Sequence, residues 1–156
     1  MTTILTVDPG ASGGLILRNS DGCVTACKMP PTEGDVVAFI QGSSTAPGAR
    51  VAYVEHVGGF TGDGQPGSAM FKFGRGVGVL IGSLMAFGWR VIEVTPQKWQ
   101  KHIGIGTRGA MSKTEWKNKL KSEAQRRYPD QTVTLATADG LLIMEYAINQ
   151  EVGNDR

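Results

Sequence analysis

The run Thr3-Ile4-Leu5-Thr6-Val7-Asp8-Pro9-Gly10-Ala11-Ser12-Gly13-Gly14-Leu15-Ile16-Leu17-Arg18 constrains this chain more than any other stretch. An apolar strand ends in a lone carboxylate, and a glycine-rich turn leads at once into a second apolar strand. Proline and glycine at such a junction turn the chain back, so Asp8 is expected at the rim of a sheet. An acid in that place is either a metal ligand or the acid of a phosphate-binding loop.

The strands 3–8 and 13–18 are followed by the turn Asn19-Ser20-Asp21-Gly22 and a third strand over 23–28, an antiparallel meander. Thr32 caps a helix running to about Gln41, and the strand 50–55 ends in a second acid, Glu55. The glycine-rich stretch 57–67 reads as a loop before a helix over 68–87. That helix carries Gly74, Gly76, Gly78 and Gly82, a costly composition unless its backbone packs closely on something. A strand over 89–94 leads through Thr95-Pro96, an N-cap with proline at the first helical position, into a helix ending near Ile103. A helix over 113–127, a short strand near 132–135 and a helix from Ala138 to about Gln150 complete the order. A meander followed by strand–helix crossovers predicts an α/β chain: one mixed sheet with helices on its faces, in a single domain over 1–156.

Asp8 and Glu55 both end strands of that sheet. If those strands are parallel neighbours, the two carboxylates lie close enough to share a divalent cation. A third acid, Asp139, shares a helical face with Leu142, Ile143 and Tyr146, so it is expected to point at the sheet rather than at water. An acid in a first helical turn also has a bland reading, as a partner of the helix dipole. Hard oxygen donors suit Mg²⁺, whereas two histidines and two cysteines supply no zinc cage. His56 is expected on the opposite face from Glu55 and is read as structural. Cys23 and Cys27 read as reduced thiols.

Net charge is +2, but it is unevenly spread. From Lys98 to Arg127 nine lysines and arginines face two glutamates, a local +7, while the rest of the chain is net acidic. Such asymmetry is the footprint of a phosphate-backbone contact, or else a solvated helix face with no partner. Phe60, in the glycine-rich loop after Glu55, either stacks on a base or anchors the loop. Trp99 and Trp116 are read as packing residues. Neither an N-terminal targeting segment nor a stretch approaching a membrane span is expected.

Taken together, Asp8 with its DPG turn, Glu55, MFKFGRGVGVLIGSLM, VIEVTPQKWQKHIGIG, the lysine opening the next helix and ATADGLLIMEYA resemble RuvC-type Holliday-junction resolvases, collinearly over most of the chain. The resemblance, to a phage-type member among others, implies an RNase H-like five-stranded mixed sheet flanked by helices. It implies a homodimer that nicks symmetric strands of four-way DNA junctions using Mg²⁺, two ions per site, with Mn²⁺ as a substitute. By position Asp8, Glu55 and Asp139 would bind metal, and Lys113 would be a catalytic lysine near the scissile phosphate. Phe60, Lys98, Lys101, Arg108, Lys117 and Lys121 are the corresponding candidate DNA contacts, in the cytoplasm of a bacterial or phage-infected cell. One departure stands out: the family places a second acid or a histidine one helical turn before the last aspartate, and this chain has Ala136.

Three other readings stay open at this point. One is a branched-DNA or flap endonuclease of broader specificity, and another is a catalytically silent junction-binding protein. The third is an actin-like ATPase, for whose two lobes and second phosphate loop 156 residues leave no room.

Overall fold

The structure, a computed structural model, describes residues 2–58 and 66–154. Five strands form one sheet: β1 (Thr3–Asp8), β2 (Gly14–Arg18), β3 (Val24–Lys28), β4 (Arg50–Glu55) and β5 (Arg90–Val94), in the order β3-β2-β1-β4-β5. The first three are the expected antiparallel meander, and β1, β4 and β5 run parallel. Five helices flank it among the described residues: α1 (Glu33–Ser43), α2 (Gly67–Ala86), α3 (Pro96–Ile103), α4 (Lys113–Arg127) and α5 (Ala138–Asn154).

The alternation of side chains along each strand sorts the chain into two cores. Leu5, Val7, Ala52 and Val54 face α1 and α2, where they pack with Val36, Ile40, Leu80 and Leu84. Ile4, Val51 and Tyr53 face the other way, onto α5 and the helices behind it. By the same parity Thr6 and Asp8 on β1, and Glu55 on β4, belong to the α5 face.

Helix α5 is apolar on more than one side. Leu141, Leu142, Ile143 and Met144 are consecutive and all fully buried, which one helical face cannot accomplish. The helix packs on β1, β2 and β4 in front and on α3 and α4 behind. Each such side chain contributes about 1.5–3 kcal/mol by leaving water. Gly140 allows the close approach: a Cβ there would lie 2.8 Å from Ile16 Cγ1. Thr6 completes it by donating its buried hydroxyl to the Gly140 carbonyl at 2.7 Å.

Three expectations need correction. No strand forms near 132–135, although Thr-Val-Thr is a strand-like composition. The backbone there is engaged locally instead: Val133 N–H donates to Gln125 Oε1 at 3.4 Å and Thr134 N–H to Thr137 Oγ1 at 3.0 Å, folding the segment into a turn before α5. The glycines of α2 do not serve close packing among the described residues, because a Cβ on Gly74, Gly76, Gly78 or Gly82 would meet none of them within 4 Å. Finally, α2 is long and apolar enough to cross a membrane by length and composition, since Lys72 and Arg75 are its only charges. It lies against α1 and β5 with Leu80 and Leu84 buried.

Candidate active site

The acids at the ends of β1 and β4 are brought side by side by strand register. Val7 is the partner of Val54 across the parallel pair, so Asp8 and Glu55 follow at one level, on strands about 4.8 Å apart. Both point to the α5 face. Asp139 joins them from the first turn of α5, 4% exposed, carried there by the neighbouring Gly140 and its bond to Thr6. All three acids singled out from the sequence therefore meet at one rim.

Burial and mutual repulsion mark the cluster. Burial, then the charges of Glu55 and Asp139, push the Asp8 carboxyl up to about 7 against the relief supplied by Lys117. Glu55 is also pushed up to about 7, by burial first; the hydrogen bond from Trp99 works against that rise and the Asp139 charge adds to it. Two carboxyls near neutrality in one place indicate more negative charge than the protein itself compensates.

Two donors hold these acids. Lys117 on α4 forms a hydrogen-bonded ion pair with Asp139 Oδ2. Burial alone would lower the Lys117 ammonium, but the pull of Asp139, Asp8 and Glu55 raises it overall, so this lysine is the counter-charge of the whole cluster. Trp99 on α3 donates its indole N–H to Glu55 Oε2 at 2.9 Å. The other oxygen of Asp139, Oδ1, is buried and has no hydrogen-bond partner among the described residues. A carboxylate oxygen in that condition is costly unless a cation or water completes it.

The donor chemistry suits a hard divalent cation: three carboxylates, one with an orphaned buried oxygen and two pushed upward for want of positive charge. Among the described residues, however, no group of three or more His, Cys, Asp or Glu side chains is gathered tightly enough to hold a metal ion. The acids share an electrostatic site without yet forming a closed cage. Next to them the carbonyl of Ala136 lies against the β2 backbone, where a Cβ on Gly14, the cross-strand partner of Asp8, would be 2.7 Å away. The position lacking an acid is thus adjacent to the site.

The remaining candidates spread around this centre. Lys113 is exposed, one helical turn before Lys117, and Lys121 is exposed one turn after it. Lys121 lines a shallow concavity with Asn118, Ser122, Gln125 and Arg126. Lys98, Lys101 and Arg108 are exposed on α3 and the loop that follows. Phe60 lies outside the described residues. His56 turns away from the acids, its Nδ1 3.4 Å from Glu93 Oε1. Two contacts go beyond what the sequence shows: Lys117, a candidate DNA contact, pairs with Asp139, and Trp99, a packing residue by its sequence, donates to Glu55. The helical stripe Lys113-Lys117-Lys121, flanked by the buried Trp116 and Leu120, carried the signal for the first. Nothing in the sequence reveals the acceptor of a buried indole.

No protein-family model matches the chain, and no curated protein matches it in sequence. Its fold is shared with known structures. Thermus thermophilus RuvC superposes with a TM-score of 0.61 at 16% identity, covering 97% of this chain and 96% of that one. T. thermophilus RuvC in complex with a Holliday junction substrate superposes equally well, with a TM-score of 0.61 at 15% identity, covering 92% and 90% of the two chains. The mixed five-stranded sheet flanked by helices is accordingly the expected RNase H-like fold.

Proposed function

We propose that this chain is a metal-dependent, structure-selective DNA endonuclease that resolves four-way junctions by paired nicks, a single nuclease domain over 1–156 acting as a homodimer. The observation that carries the reading is the gathering of Asp8, Glu55 and Asp139 at one sheet rim beside a +7 segment, in a fold shared with a protein whose structure includes a Holliday junction. Asp8, Glu55 and Asp139 would hold Mg²⁺, or Mn²⁺ in its place. Bound there, the cation would supply an activated water and stabilise charge on the leaving oxygen.

The chain's own groups do the rest. Lys117 has three N–H donors, one engaged by Asp139, so others are free to bond a phosphate oxygen while the ion pair persists. Lys113 and Lys121 extend that stripe along α4, and Lys98, Lys101 and Arg108 add charge beside it for the backbone of a branched DNA. A two-fold dimer matches two sites to two symmetry-related strands. Helix α2 is the candidate interface, with Phe71 and Met85 74% and 62% exposed and open space over its glycines. A cytoplasmic location, in a bacterial or phage-infected cell, goes with this activity.

Two observations favour a second reading, junction binding without cleavage: Lys117 already neutralises Asp139, and no closed ligand cage is assembled among the described residues. The deciding experiment incubates the protein with a labelled immobile four-way junction, a flap and a linear duplex, with Mg²⁺ or EDTA. Mg²⁺-dependent paired nicks in the junction are expected. Tight junction binding with no nicking of any branched substrate would replace the nuclease reading with the binding one.

A further inference from the structure

Trp99 is fully buried on α3, yet its one polar hydrogen is directed at a candidate ligand, Glu55 Oε2, at 2.9 Å. An indole donates one hydrogen bond and accepts none, so its orientation states which carboxylate oxygen is taken. Among the described residues no protein donor reaches the other oxygen, Oε1. Asp139 repeats the pattern, with Oδ2 held by Lys117 and Oδ1 bare. The indole is itself held firmly. Its helix starts at the Thr95 cap with Pro96 in the first position, ends at Gly104 in the left-handed conformation, and packs on α5.

We propose that Trp99 is a positioning residue that fixes Glu55 to meet a divalent cation through Oε1 alone, as a monodentate ligand. The inference rests on the metal-dependent reading above and adds selectivity to it. The indole takes one of the two lone pairs of Oε2 and fixes the plane of the carboxylate, which disfavours the swing that a two-oxygen grip on a cation would need. A two-oxygen grip suits the larger and more permissive Ca²⁺ shell, whereas the compact octahedron of Mg²⁺ favours single oxygens. Trp99 thereby favours Mg²⁺ over Ca²⁺, in addition to removing the rotamer freedom that a long glutamate side chain would otherwise keep.

The test is a calorimetric titration of the full chain with Mg²⁺ and with Ca²⁺, without DNA, for the natural protein, Trp99→Phe and Trp89→Phe. Trp89, whose indole donates to Ser44 Oγ at 2.7 Å, serves as the control. Trp99→Phe is expected to weaken Mg²⁺ binding about tenfold, the lower end of the roughly 10–100-fold seen when groups behind a metal ligand are removed, and to narrow the Mg²⁺ to Ca²⁺ preference. Trp89→Phe leaves both unchanged. An unaltered preference in folded Trp99→Phe overturns the proposal. Should that variant fail to fold, the indole N–H resonances of the natural protein decide. The Trp99 signal is expected to shift saturably with Mg²⁺ while the Trp89 signal stays, and a stationary Trp99 signal during Mg²⁺ binding overturns it. If the natural protein binds neither cation, the metal-dependent reading itself falls, an outcome distinct from binding that ignores Trp99.

Discussion

The hydroxyl of Thr6 donates to the carbonyl of Gly140 at 2.7 Å across 134 positions of the chain. This buried bond ties the strand that carries Asp8 to the helix turn that carries Asp139. It lies two residues before the first acid and one after the last, so the spacing of the site depends on it. A nearly isosteric change removes the donor and leaves the packing. Thr6→Val is expected to cost about 1 kcal/mol of stability, read by urea denaturation, and to lower junction nicking several-fold at unchanged junction affinity. Nicking at the natural rate would show that the bond serves the fold alone.

The pair of raised carboxyls makes metal-free stability fall with pH. Asp8 and Glu55 sit at about 7 in the folded chain, against about 4 when unfolded. Between those values the folded state therefore holds more protons than the unfolded one, and raising pH through the window removes stability. Thermal unfolding in EDTA should show a midpoint that declines from pH 5 to pH 8. Mg²⁺ at pH 8 should restore it, since a cation bound to the folded state alone stabilises it. A midpoint that rises across this range would contradict the crowded-acid account.

Lys117 and Lys113 should separate cleanly although they are one turn apart. Lys117→Ala leaves Asp139 buried without its counter-charge. The cost expected is about 1–3 kcal/mol, tempered because Lys117 is 37% exposed, together with a loss of nicking at saturating junction. Lys113→Ala touches an exposed residue and is expected to spare stability, weaken junction binding and reduce the salt slope by about one. Equal effects of the two on cleavage at saturating DNA would remove the distinction.

The parts of the site that could be read in advance are those set by period. Alternation along β1 and β4 puts Asp8 and Glu55 on one face, and the spacing of Asp139 from Leu142, Ile143 and Tyr146 turns it inward. Lys117 was harder, because Lys113, Lys117 and Lys121 share one stripe and only the packing of α4 on α5 selects among them. Trp99 could not be read, since burial explains a tryptophan without naming the acceptor of its N–H. The strand expected near 132–135 failed for a related reason: Gln125 and Thr137 satisfy that backbone from the side, and side-chain competition of this kind overrides β propensity.

Asp8→Asn tests whether Asp8 serves chemistry or structure, because the two roles predict opposite changes. Asparagine keeps the volume, removes the charge and so relieves the repulsion from Glu55 and Asp139 that burial intensifies. A ligand should matter more than the groups behind it, whose loss costs about 10–100-fold, so nicking should fall by about 100-fold or more. Junction binding should persist, because the lysines and arginines of α3, α4 and the loop between them are untouched. In EDTA at pH 8 the variant should unfold at a higher temperature than the natural protein, with less gain from added Mg²⁺. A variant that loses stability together with cleavage would instead make Asp8 a structural acid at the end of its strand.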